Sequence, residues 1–124
     1  MIFRETLLRV ADNSGARLVR CVGLAPPFAR EGDLITVSVC RCRPRSRVER
    51  GRLYRALVVQ CRRAGSRWGG LRVGFRSNRV VLLRRPDSPR AEPLPLGTRL
   101  VRPISREVRR AGFAKLLLLA PSLL

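Results

Sequence analysis

The stretch LITVSVCRC, residues 34–42, alternates with a period of two. Ile35, Val37 and Val39 fall on one face, and Thr36, Ser38, Cys40 and Cys42 on the other. That pattern predicts a strand with one face in a core. On its N-terminal side, a loop runs from Ala25-Pro26-Pro27 to Glu31-Gly32-Asp33. Before the loop, Thr6–Val10 and Ala16–Gly23 read as strands joined through Asp12-Asn13-Ser14-Gly15. Those four are turn residues: Asx and Ser side chains bond nearby backbone, and Gly accepts positive φ. On the C-terminal side, Arg43–Gly51 is a basic loop and Leu53–Cys61 a strand dense in Leu, Val and Tyr. Arg62–Gly70 is a second basic loop. Leu71–Phe75 and Arg79–Leu83 read as short strands about a turn at Ser77-Asn78.

Arg84–Leu96 carries four prolines and reads as a loop. Pro103 and Ser105 then open a short helix. Ser105 is the expected cap, Glu107 suits the positive end and Gly112 suits the C′ position. Lys115–Ala120 is a last apolar turn before Pro121. Closely spaced strands followed by a small helical end predict a mainly β fold. A small closed β-barrel is expected, because closure removes exposed strand edges. The chain reads as a single domain over residues 1–124, with its helical segment at about 104–120.

Charge narrows the function. Lys and Arg number 27 against 8 Asp and Glu, a net charge of +19. Such a chain repels itself unless a polyanion neutralises it. Nucleic acid fits first and an anionic membrane second. No apolar run approaches the roughly 20 residues of a transmembrane helix, so no membrane partner is expected. All the basic residues but Lys115 are arginine. GC-rich coding is one cause; the bidentate fit of guanidinium to phosphate is the functional one. Arg43, Arg45, Arg47 and Arg50 crowd one loop, and Arg62, Arg63 and Arg67 the next. RNA is preferred to DNA because no groove-reading recognition helix is apparent. Trp68 could stack on a base or plug the barrel mouth.

Other chemistries fit poorly. Asp12 with Ser14-Gly15-Ala16 superficially matches an aspartic-protease loop. Asn13, however, separates the hydroxyl from the carboxylate, and a second carboxylate would be needed. Cys40 and Cys42 are spaced by one residue within a strand, unlike a zinc knuckle, so small buried thiols are the simpler reading of the four cysteines. Without histidine there is no ordinary Ser-His or Cys-His nucleophile. Neither an enzyme activity nor a cofactor is expected. The cysteines are expected to be reduced, because no secretory signal is evident.

Val10-Ala11-Asp12-Asn13-Ser14-Gly15-Ala16-Arg17 resembles the N-terminal signature of the bacterial-type large-subunit ribosomal protein fourteen family. The resemblance continues through Gly32-Asp33-Leu34-Ile35, Arg55-Ala56-Leu57-Val58-Val59, Gly97-Thr98-Arg99-Leu100 and Pro103-Ile104-Ser105-Arg106-Glu107. Phe113, Lys115 and Leu119-Ala120-Pro121 are similar to its closing motif. The resemblance implies a five-stranded barrel with a helical C-terminal end. It implies binding to large-subunit rRNA at the intersubunit face and a share in a bridge to small-subunit rRNA. It also implies packing on neighbouring proteins, notably ribosomal protein nineteen, and in bacterial and organellar members a docking surface for a ribosome-silencing factor.

Carried over by position, Asn13, Ser14, Arg17, Arg45, Arg55 and Arg99 are the expected RNA contacts. Arg43, Arg47, Arg50, Arg62 and Arg63 join them from the basic loops. Arg106, Glu107, Arg109, Phe113 and Lys115 are the expected protein contacts. Departures at Gly51-Arg52, Ser66–Gly70 and Arg76 favour an organellar ribosome, with the mitochondrial matrix preferred over a plastid or a bacterial cytoplasm. A free or regulatory RNA-binding barrel acting outside the ribosome is the competing reading.

Overall fold

A computed structural model of the chain describes residues 1–63, 65–84 and 93–124; for Trp68 and Ala114 it describes the backbone alone. The alternation of residues 34–42 becomes strand β3 (Leu34–Cys42), with Ile35, Val37 and Val39 buried. Around it stand β1 (Leu7–Val10), β2 (Ala16–Gly23) and β4 (Leu53–Gln60). A two-residue hairpin follows, β5 (Gly65–Ser66) with β6 (Arg72–Val73), and then β7 (Arg79–Arg84). The large sheet runs β1-β2-β3-β4-β7, and parallel pairing of Arg9 with Arg79 and Val10 with Val80 closes it. The result is a closed five-stranded barrel with the short strand β8 (Leu94–Pro95) added to β7. The proline-rich segment was expected to be all loop. Its end instead pairs as an edge, where proline is tolerated because no ladder N–H is needed. Residues 85–92 of that segment lie outside the described residues.

Two apolar clusters share one wall of the barrel. Inside sit Leu8, Val19, Cys21, Ile35, Val37, Val39, Ala56, Val58, Val80 and Leu82, with Ile2 and Val48 packed in the same cluster. On the outer face of β4 and β7, Leu57, Val59, Val81 and Leu83 are buried against Leu100, Ile104, Val108, Phe113 and Leu116. This explains why β4 and β7 read as continuous apolar runs while β3 alternates: a strand covered on both faces has no polar side.

The covering layer is a 3-10 helix at Arg106–Ala111 and the helix α1 (Ala114–Leu119). Both fall within the helical segment expected at 104–120. Gly112 ends the first helix with a left-handed backbone, as its position suggested. Ser105 departs from expectation. It occupies the cap position but makes no side-chain cap bond; its hydroxyl turns to the Glu107 carboxylate instead. The layer is fastened to β4 by the Ser105 N–H, which donates to the Val59 carbonyl at 3.0 Å, and by Gln60 Nε2, which donates to the Pro103 carbonyl. Among the described residues, no helix is long and apolar enough to cross a membrane.

The cysteines also differ from the simple alternation. Cys42 packs against the interior cluster, whereas Cys40 points its thiol at the Ser38 carbonyl, 3.8 Å away. The register with β2 slips between Leu18 and Val19, where Cys40 is the extra residue in β3, and again between Ala16 and Leu18, beside Cys42. A bulge of this kind re-aims side chains, so the two thiols do not share a face. Cys21 and Cys61 are buried, and all four thiols are free. Burial pushes the Cys61 thiol up to about 11, away from any reactive thiolate.

Candidate nucleic-acid interface

The turn after β1 organises the basic surface. Asp12 is buried and its carboxylate is fully used. Oδ1 accepts from the Ser14 N–H at 3.1 Å and the Ser14 hydroxyl at 2.6 Å; Oδ2 accepts from the Leu82 N–H at 3.3 Å. Burial raises the Asp12 carboxyl above its ordinary value, opposed by these three bonds. A buried acid held by one neighbouring turn and one strand is a structural clip.

Asn13 reaches the other way. Its Nδ2 donates to Thr98 Oγ1 at 2.8 Å, and its Oδ1 accepts from the N–H groups of Thr98 at 2.8 Å and Arg99 at 3.2 Å. The side chain thus ties the Val10–Arg17 turn to residues 97–99. Contact here is close enough to demand glycine on both sides. A Cβ on Gly97 would stand 2.8 Å from Asn13 Oδ1 and 2.9 Å from Asp12 Cβ. A Cβ on Gly15, whose φ is +104°, would stand 2.2 Å from Ser46 Cβ.

Ser46 belongs to the basic loop between β3 and β4, and that loop is pinned on the turn. The Arg43 N–H donates to the Gly15 carbonyl at 2.8 Å, and the Arg47 N–H to the Ser14 carbonyl at 3.3 Å. Arg47 Nη1 also donates to the Leu96 carbonyl at 3.2 Å. Arg45, at φ +58°, turns the loop. Three segments far apart in sequence therefore meet. They bring exposed Arg43, Arg45 and Arg47 beside exposed Arg99, with Arg17 opening β2 next to them. Arg50 lies farther along the same loop and Arg55 on the outer face of β4, both exposed. Arg62 and Arg63 are exposed beyond the opposite end of β4, where Arg63 Nη1 sits 3.8 Å from Met1 Sδ. The basic residues thus form two groups, one at each end of that strand. Ser14 differs from its neighbours: it is buried, and its hydroxyl is spent on Asp12. The side chain of Trp68, read in the sequence as a base-stacking group or a plug for the barrel mouth, lies outside the described residues.

Two features were not evident in the sequence. Arg9 and Arg79 are direct partners in the β1–β7 pairing, and burial, joined by the nearby charges of Arg102 and Arg9, lowers the Arg79 pKa. Like charges placed opposite one another oppose folding unless an anion covers them. Among the described residues, none of the three forms an ion pair. The other feature is a forked ion pair. Arg67 Nε and Nη2 lie 2.8 and 3.0 Å from the two oxygens of Glu107, joining the region of the β5–β6 hairpin to the C-terminal layer. Hydrogen bonding to Arg67 holds the Glu107 carboxyl below the usual carboxylate range. Glu107 is therefore engaged within the chain, while Arg106, Arg109 and Lys115 beside it are exposed and Phe113 is buried in the outer cluster. Among the described residues, no three metal-ligating side chains gather in one place.

A chain with a basic surface of this kind has known relatives. The profile of the ribosomal protein L14p/L23e family matches residues 1–124. The chain belongs to this family. Among its relatives, the large ribosomal subunit protein uL14 of Aquifex aeolicus (strain VF5) is 42% identical over 124 residues, covering 98% of each chain. The protein of the same name in Aquifex pyrophilus is 41% identical with the same coverage. The turn at Asp12-Asn13 and the segment at Gly97-Thr98-Arg99 lie far apart in the sequence; the fold joins them into one surface.

Proposed function

We propose that this protein is a structural constituent of the large ribosomal subunit that binds large-subunit rRNA through its arginine-bearing loops. The observation that carries the reading is the family match across the whole chain. The geometry supports it: Arg17, Arg43, Arg45, Arg47 and Arg99 converge on one turn and can track phosphates, with Arg50 and Arg55 extending the same side. Asn13 and Ser14 act mainly by holding that surface in shape. Arg62 and Arg63 form a second phosphate-tracking group.

The same reading places the protein at the face toward the small subunit, contributing to a bridge with small-subunit rRNA. Arg106, Arg109 and Lys115 then meet neighbouring proteins, ribosomal protein nineteen among them, and a ribosome-silencing factor docks on the exposed helical layer. The role is non-catalytic, and the whole chain acts as one domain. The changes at Gly51-Arg52 and in residues 66–70 favour an organellar ribosome within this proposal, whereas the two Aquifex relatives favour neither an organelle nor a bacterial cytoplasm.

The test is sedimentation of gently lysed cells. The protein is expected in the large-subunit fraction at low salt and free at high salt, as a phosphate-dominated contact requires. Crosslinking with RNA sequencing should recover large-subunit rRNA. Recovery of messenger or small RNA from a non-ribosomal fraction would overturn the proposal in favour of a free RNA-binding module.

A further inference from the structure

Away from the arginine loops, one end of the barrel carries aromatic and proline side chains in the open. Ile2 and Ala29 exchange backbone hydrogen bonds of 2.9 Å in both directions, pinning the N-terminal segment to the loop after β2. The Phe3 N–H donates to Thr6 Oγ1 at 3.1 Å, which fixes the next residue too. Phe3 is nonetheless 51% exposed. Its ring centroid lies 6.0 Å from that of Phe28, at an interplanar angle of 54°. The Arg30 guanidinium stands 4.9 Å from the Phe28 ring centroid, a cation–π distance. Phe3, Arg4, Leu24, Pro26 and Pro27 line a shallow groove of about 360 Å³. Among the described residues its one charged lining residue is Arg4, and Arg30 stands beyond Phe28 with a second positive charge.

We propose that this groove is a docking site for an unpaired RNA base, stacked on Phe3. The proposal rests on the RNA-binding reading above, but uses a different surface and a different physical interaction. A pinned, half-exposed ring offers a flat face whose ordering cost is already met by the fold. Arg4 in the groove and Arg30 beyond Phe28 suit the phosphates next to a stacked base; among the described residues no acidic side chain lines the groove, and Glu5 beside it is paired with Arg20 at 3.5 Å. Aromatic platforms beside a positive groove are the means by which proteins hold single-stranded nucleic acid, and stacking tolerates any base. A greasy protein segment would need the apolar floor but not the positive rim. The charge therefore favours RNA.

The test compares the full-length chain with its Phe3→Ala and Phe3→Leu variants. The probes are a short single-stranded RNA carrying fluorescent 2-aminopurine and a blunt RNA duplex with an equal number of phosphates. Thermal unfolding first establishes that each variant is folded, as expected for a half-exposed side chain. The proposal expects Phe3→Ala and Phe3→Leu both to weaken single-strand binding on the order of tenfold. Quenching of 2-aminopurine should be lost, while duplex affinity and its salt dependence stay unchanged. Equal weakening for strand and duplex would overturn it. So would a Phe3→Leu variant that binds the strand and quenches as the parent does, which would reassign the groove to an apolar protein segment. Either result leaves the sedimentation of the parent protein with large subunits untouched, so the two proposals fail separately.

Discussion

Replacing Asn13 by Ala tests whether the turn after β1 is held by its side chain. The parent side chain makes three hydrogen bonds, of 2.8, 2.8 and 3.2 Å, to Thr98 and Arg99. Each is worth a net of about 0.5–1.5 kcal/mol. The site is exposed, so water recovers the N–H groups set free and the low end of that range applies. The sum is then about 1.5–2 kcal/mol, or a Tm lower by about 6–8 °C for a chain of this size. Asn13→Asp keeps the oxygen that accepts from both backbone N–H groups and loses only the donation to Thr98. Its cost should be about 0.5 kcal/mol. Gly97→Ala attacks the same contact from the other side, with its new Cβ 2.8 Å from Asn13 Oδ1 and 2.9 Å from Asp12 Cβ, and should cost about 1–3 kcal/mol. Combined with Asn13→Ala, its cost should fall below the sum, because one of the two clashing atoms is gone. Urea unfolding followed by circular dichroism measures all four variants. An Asn13→Ala protein as stable as the parent, or an Asn13→Asp protein as damaged as Asn13→Ala, would refute the reasoning.

Gly15→Ala should be more damaging than any exposed-loop change, by about 2 kcal/mol or more, since it combines an unfavourable backbone with a Cβ contact of 2.2 Å to Ser46; displaced arginines should lower RNA affinity in the same variant. Asp12→Asn sets an amide NH₂ against one of the buried N–H donors of Ser14 or Leu82 and should cost about 1–3 kcal/mol in urea unfolding. The two acids should give opposite pH slopes. Glu107 titrates below its unfolded value, so its pair with Arg67 stabilises the fold above the usual carboxylate pKa and is lost as pH falls through the lower folded value. Asp12 titrates above its unfolded value, so its share of stability rises as pH falls from the folded value to the usual one. Urea midpoints across acid pH should therefore lose the first slope in Glu107→Gln and the second in Asp12→Asn. Arg45→Ala should reduce the salt slope of rRNA binding by about one, and an unchanged slope would place Arg45 off the RNA.

The barrel strands were legible because they are long and either alternate or run continuously apolar. Ala16–Gly23 and Leu34–Cys42 have the predicted bounds, and Leu53–Gln60 ends one residue early. The region of Leu71–Phe75 shrank to a two-residue strand, Arg72–Val73, because its hairpin lies outside the barrel sheet and has only a two-residue partner. The face of Cys42 was not legible because alternation assumes an unbroken ladder, and the extra residue that β3 carries at Cys40 leaves no mark in the local pattern. At the candidate interface, the arginine loops were legible from charge alone. Their convergence was not, because it depends on Asn13 reaching across 85 residues to Thr98 and on Gly15 admitting Ser46. Arg67 and Glu107 lie 40 residues apart, and no local pattern links them.

The shared wall of the barrel has a consequence for how the protein is made. Leu57, Val59, Val81 and Leu83 are synthesised well before Ile104, Val108, Phe113 and Leu116, which cover them. Until those last residues emerge, a nascent chain that has closed its barrel carries an apolar stripe on the outside. The final turn of helix acts as a lid on the product, and a premature stop codon near residue 103 would leave a closed barrel prone to self-association.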